Sequence, residues 1–227
     1  MSETIATRWA AIAARVERAC DRAKRDRASV TIVAVSKTHP ATAVREALAA
    51  GATDFGENYA QELAAKRPEV PEARWHYIGR LQRNKAKLVA GQVALVHAVD
   101  TVELAAELAK RRVDATIVQP ILLALSGEES KAGVSAATAE TVARAILAID
   151  GVRLDGLMTM PPPADDPEAS RPAFEALREL RDRLQDSLSH PLPALSMGMS
   201  DDFEVAIACG ATHVRIGTAI FGTRAAP

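Results

Sequence analysis

Eight short apolar runs, each followed by a stretch with helical punctuation, constrain the fold of this chain more than any other feature. The first run covers residues 30–35, Val-Thr-Ile-Val-Ala-Val, and stops at Ser36 and a lone Lys37. An unbroken apolar and β-branched run reads as a strand buried on both faces, as in a parallel sheet. Further strands are expected at 53–58, 74–79, 94–99, 115–125, 154–160, 194–198 and 213–217. Helical segments fall between them, with Gly51 and Gly151 as stop signals and Phe174, Leu177 and Leu184 along one apolar face. A further amphipathic helix precedes the first strand, carrying Ile5, Trp9, Ile12, Val16 and Cys20 on its apolar side. With no linker and no repeated block, the pattern predicts one α/β domain over residues 1–227. Its expected form is a (β/α)8 TIM barrel with an extra N-terminal helix. A doubly wound open sheet is the alternative, but the glycine-rich dinucleotide fingerprint is missing after the first strand.

Charge and cysteine content narrow the class of function. Lys+Arg 28 against Asp+Glu 29 gives a formal charge of -1, which offers nucleic acid or an anionic membrane no electrostatic handle. Arg80, Arg83, Lys85 and Lys87 beside Trp75 and Tyr77 form a weak RNA-binding candidate that reads more simply as a solvated face. Cys20 and Cys209 sit in helical patterns without metal-ligand neighbours, so two buried thiols are expected, with no zinc site and no disulfide. No stretch approaches the roughly 18 apolar residues of a membrane span. The first residues lack the cationic segment and apolar run of a signal peptide. These features predict a cytoplasmic protein that binds neither nucleic acid nor membrane.

In a parallel barrel the chemistry gathers at the carboxyl ends of the strands. The residues expected on that rim include Ser36-Lys37, Glu57-Asn58, Gly79-Arg80, Asp100, Ser126, Thr159-Met160, 196–200 and 215–218. They contain no metal-ligand spacing, no nucleophile elbow and no obvious carboxylate pair. Lys37 near low-dielectric walls would favour the neutral, nucleophilic amine, but it reads equally as a strand-end lysine that snorkels to solvent. Residues 200–202 open a helix whose free amides favour an anion, although Asp201 with Glu204 also fits a capping box. Asp100 is expected to cap the helix that follows it. Arg215 lies inside an apolar strand, either as part of an anion site with Gly217 and Thr218 or as a structural ion pair. The inventory suits an anionic ligand bearing an aldehyde.

Several longer motifs carry a resemblance. They are Val-Ala-Val-Ser-Lys-Thr (33–38), Phe-Gly-Glu-Asn-Tyr (55–59), His-Tyr-Ile-Gly-Arg-Leu-Gln-Arg-Asn-Lys (76–85) and Ser-Gly-Glu-Glu-Ser-Lys-Ala-Gly (126–133). Gly-Leu-Met-Thr-Met (156–160) and the run from Ala194 to Gly222 complete the set. In this order they resemble the pyridoxal phosphate homeostasis protein family, which is similar to the N-terminal barrel of alanine racemase. The resemblance implies that Lys37 forms a Schiff base with pyridoxal 5′-phosphate and that Ser200, Gly217 and Thr218 hold the phosphate. It further implies that Arg215 faces the pyridine nitrogen and that Asn58 lines the ring. Arg80, Arg83 and the Leu122-Leu123 pair depart from the family pattern outside these contacts. An arginine only donates, so it would keep the ring nitrogen neutral and weaken the electron sink that transamination needs. Racemisation needs a second acid/base opposite Lys37; alanine racemases supply it from a C-terminal domain, and this chain stops at Pro227. The expectation is therefore a monomeric carrier or buffer of the cofactor with no metal and no robust turnover, delivering to apo-enzymes that require it. A racemase-like enzyme is the alternative.

Overall fold

The computed structural model describes residues 3–125 and 133–222; most of the Ser126–Gly133 motif lies outside the described residues. Eight strands close into a parallel barrel in sequence order: β1 (Thr31–Val35), β2 (Asp54–Glu57), β3 (Arg74–Tyr77), β4 (Leu95–Val99), β5 (Gln119–Ala124), β6 (Val152–Met158), β7 (Ala194–Ser196) and β8 (His213–Ile216). β1 pairs with both β2 and β8, which completes the ring. The predicted (β/α)8 barrel is the observed fold.

The predicted N-terminal helix is α1 (Ile5–Arg22), started by Thr4, whose hydroxyl accepts from the amide of Thr7. Its buried stripe of Ile5, Ile12, Val16, Ala19 and Cys20 packs into the main core. The remaining helices are α2 (Ala41–Ala49), α3 (Ala60–Lys66), α4 (Val102–Lys110), α5 (Ala139–Leu147), α6 (Arg171–Leu188), α7 (Phe203–Ala208) and α8 (Thr218–Phe221). Between β3 and β4 the chain makes a 3-10 helix, Arg83–Leu88, where a short α-helix was expected. Cys20 and Cys209 are free and buried.

Three local expectations are corrected. Strand β5 begins at Gln119, because residues 114–118 form a turn in which Asp114 accepts from the amide and hydroxyl of Thr116. Helix α4 is capped by Thr101, whose hydroxyl accepts from Leu104, and Asp100 stands outside the helix 3.7 Å from Arg80. No capping box opens α7, since Glu204 turns to Arg15 at 3.2 Å while Asp202 accepts from the Met199 amide at 2.7 Å and from Ser170 at 2.9 Å.

Alternation along the strands separates two kinds of interior. Ile32, Ala34, Phe55 and Trp75 belong to the core between barrel and helices. Their neighbours Val33 and Asp54 face the other way, into the barrel itself. That inner space holds a small apolar group of Leu95, Leu122 and Ala194, and beside it an unusual number of polar side chains. Among the described residues no helix is long and apolar enough to cross a membrane.

Candidate functional site

Strand register brings the predicted residues to one end of the barrel. Val35 pairs with Gly56 and the Ser36 amide donates to the Gly56 carbonyl, so Lys37 follows the carboxyl end of β1 as Asn58 follows that of β2. Ala34 pairs with Ile216, so Val35 stands beside Gly217; a Cβ built on Gly217 would lie 3.4 Å from both the Cβ and the carbonyl oxygen of Val35. Glycine there lets the chain leaving β8 pack closely against the end of β1. Thr218 begins α8, and the first amides of a helix have no intrahelical acceptor. Its hydroxyl donates to Ser200 at 3.3 Å, which ties the β7 and β8 loops together. Gly198, at φ +90, makes the sharp exit from β7 that puts Ser200 there.

Lys37 is half-buried, and the turn that carries it is held from below. The Ser36 hydroxyl donates to Glu57 Oε1 at 2.7 Å, and Lys66 Nζ donates to the Ser36 carbonyl at 2.9 Å. Lys66 also donates to Glu57 and Glu62, each at 2.8 Å, and Glu62 accepts the Thr38 amide at 2.8 Å. Thr38 adopts a left-handed φ of 66, rare for a β-branched residue, so the lysine's exit direction is set by its surroundings.

Arg215 is 6% exposed. It donates to the Ser196 hydroxyl at 2.5 Å and to the Thr159 carbonyl at 3.0 Å, and among the described residues no carboxylate lies within ion-pair distance of it. Burial lowers its pKa to about 10, opposed by the charge of Asp202. Asn58 is half-buried and, among the described residues, its Oδ1 has no hydrogen-bond partner. An orphaned buried amide oxygen at this end of the barrel fits a polar ligand. A cleft of about 1020 Å³ opens beside Asn58 over the β2–β4 loops, lined by Arg80, Arg83 and Asp100, but Lys37, Ser200 and Arg215 are not part of its wall.

The tyrosines and the basic patch have other roles. Tyr77 donates to the carbonyls of Asn58 at 3.0 Å and Arg80 at 3.3 Å, and burial pushes its pKa up to about 12. Tyr59 is 53% exposed. Trp75 and Tyr77 are 3% and 2% exposed, so neither is available to stack on an RNA base.

The sequence reading missed the support beneath these residues. Glu62, Lys66 and His97 carry no motif of their own, and His76 stands out only as the first residue of the 76–85 run. The i,i+4 spacing of Glu62 and Lys66 was a visible signal for an ion pair. Nothing local indicates that Lys66 points back to Ser36.

The alanine racemase N-terminal domain family matches residues 8–225. A pyridoxal phosphate homeostasis protein of Pseudomonas aeruginosa is 46% identical over 225 residues, covering 97% of this chain and 96% of that protein. One of Aquifex aeolicus is 44% identical over 214 residues, with 92% and 94% covered. The structure of PipY from Synechococcus elongatus with pyridoxal phosphate bound superposes with a TM-score of 0.80 at 34% identity, over 92% of this chain and 100% of that one. The chain thus belongs to the pyridoxal phosphate homeostasis proteins, a family built on the alanine racemase N-terminal barrel.

Proposed function

We propose that this chain is a single-domain, monomeric, cytoplasmic carrier of pyridoxal 5′-phosphate that holds the cofactor through a Schiff base on Lys37 and releases it to apo-enzymes. The observation that carries the reading is the convergence of Lys37, Asn58, Arg215, Gly217, Thr218 and Ser200 at one end of the barrel. The PipY structure with the cofactor bound supports it, as do the curated relatives. The residues fit the group: an orphaned Asn58 oxygen, open helix-start amides and a buried guanidinium suit a phosphorylated heteroaromatic aldehyde.

When bound, the cofactor supplies an aldehyde that condenses reversibly with a primary amine, losing one water, and a ring that withdraws electrons. Lys37 supplies the amine, and its turn is held by Glu57, Glu62 and Lys66. Ser200, Thr218 and the Gly217 amide hold the phosphate. Arg215 donates toward the ring nitrogen and, having no acceptor, leaves that nitrogen unprotonated. Tyr77 is committed to two carbonyls, so it does not serve as a second acid/base. These features favour binding over turnover.

Borohydride reduction of the loaded protein followed by peptide mapping tests the anchor. The phosphopyridoxyl group is expected on Lys37, and its absence from Lys37 overturns the assignment. Incubation with single L-amino acids tests the carrier reading. Sustained formation of the D-enantiomer, abolished by Lys37→Ala, would replace the carrier with a racemase.

A further inference from the structure

A line of polar side chains crosses the inside of the barrel from its floor to Arg215. Asp54, the first residue of β2, lies with Oδ1 2.8 Å from His76 Nε2 on β3. His76 Nδ1 is 3.0 Å from His97 Nε2 on β4, and His97 Nδ1 is 2.7 Å from the Ser196 hydroxyl on β7. Ser196 in turn accepts from Arg215. Asp54, His76, His97, Ser196 and Arg215 are all buried.

The chemistry of the two ends constrains the direction of the bonds between them. Arginine only donates, so Ser196 must accept from Arg215. Among the described residues the other partner of the Ser196 oxygen is His97 Nδ1, and the column assigns the hydroxyl proton to that bond. Burial drives the His97 pKa well below its ordinary value, helped by the charge of Arg215, so His97 is neutral. A neutral imidazole that accepts on Nδ1 carries its proton on Nε2, which donates to His76 Nδ1. The His76 proton is then on Nε2 and points at Asp54, whose carboxylate only accepts. His213 packs on both rings at 5.7 and 6.0 Å between centroids but bonds to Thr212, outside the line.

We propose that Asp54, His76, His97 and Ser196 form one donor-to-acceptor column that holds Arg215 in place from the floor of the barrel. They are positioning residues, and their bearing on the cofactor rests on the assignment of Arg215 to the ring. The column explains why these strands place polar groups where barrels of this kind usually carry branched apolar ones. A guanidinium on a long flexible side chain keeps one orientation only if its acceptors are themselves fixed. Ser196 is fixed because its own proton is committed to His97.

Long-range 1H–15N spectra of the full-length, 15N-labelled, cofactor-free protein test the column directly. At pH 7, His76 and His97 should both carry a single proton on Nε2. A proton on His97 Nδ1, or a doubly protonated His76, overturns the proposal. Exchange of the Arg215 guanidinium protons with solvent gives a second readout. In His97→Phe it should rise at least tenfold, and pyridoxal phosphate should bind at least tenfold more weakly by fluorescence titration. His97→Gln, which can accept and donate in the same places, should restore both to within about threefold. Unchanged exchange or unchanged affinity in a folded His97→Phe protein also overturns the proposal. The wild-type spectra decide the matter if that variant does not fold. They are recorded without cofactor, so their outcome is independent of whether borohydride labels Lys37.

Discussion

Asp54 and Glu57 begin and end the same four-residue strand, both are buried, and their acidities shift in opposite directions. Asp54 points into the barrel. Burial alone would raise its pKa, but hydrogen bonds from His76 and Thr53, with the charge of Arg74 nearby, hold it below its ordinary value. Glu57 points outward to α3. There burial prevails over the bonds from Lys66 and Ser36, and its Oε2 has no partner. The difference lies in how many lone pairs are filled. Asp54 has a donor on each oxygen, whereas both Glu57 donors meet the same one. A single lysine beside a buried carboxylate does not by itself keep it acidic.

The comparison breaks most visibly at Lys66. Lys66→Met strands a buried carboxylate and should cost about 3–5 kcal/mol in urea unfolding. Adding Glu57→Gln should return most of it. If the single variant unfolds at the wild-type midpoint, the outer cluster is not holding the Lys37 turn.

Asp54→Asn should come next, at about 1–2 kcal/mol near neutral pH, since the His76 bond loses its charge. The pH dependence sharpens the contrast. The Asp54 pKa is depressed in the folded state, so its contribution is complete above about pH 3.8 and is lost as pH falls through the lower folded value. The Glu57 pKa is raised, so its ionisation removes stability as pH rises from about 4.5 through the higher folded value. Urea midpoints between pH 2 and 7 should show Asp54→Asn flattening the loss below about 3.8 and Glu57→Gln removing the decline above about 4.5. Slopes of the same sign in both variants would contradict the two-environment account.

Thr38→Gly tests whether the outer cluster stores strain. Glycine removes the Cβ conflict of the left-handed φ, and the protein should gain at most about 1 kcal/mol. The smallest effect should come from Glu140→Gln on the exposed face of α5. Its i,i+4 partner Arg144 is half exposed, and the loss should be about 0.3–0.5 kcal/mol and vanish in high salt. That variant sets the surface baseline against which both buried clusters are read.

Much of this was legible beforehand because strands and helices announce themselves through local periodicity. The apolar run before Lys37 is β1, and the stripe of Phe174, Leu177 and Leu184 is the buried face of α6. Ser200, Gly217 and Thr218 were visible as loop chemistry after strands seven and eight. Boundaries failed where one side chain decided among neighbours. Thr101 displaced Asp100 as a cap, and Glu204 left its helix end for Arg15, 189 positions away. No window of sequence contains both partners of such a contact.

By itself, the sequence determined the number and order of strands, the parallel barrel they form and the identity of the residues at its rim, because each follows from short-range pattern. Only the tertiary structure decided which face of β2 carries which carboxylate partner, how Lys66 reaches the turn of Lys37, and that His97 on β4 meets Ser196 on β7. Closing the barrel sets opposite walls within one hydrogen bond of each other. That distance depends on all eight strands at once, and no single stretch of the chain encodes it.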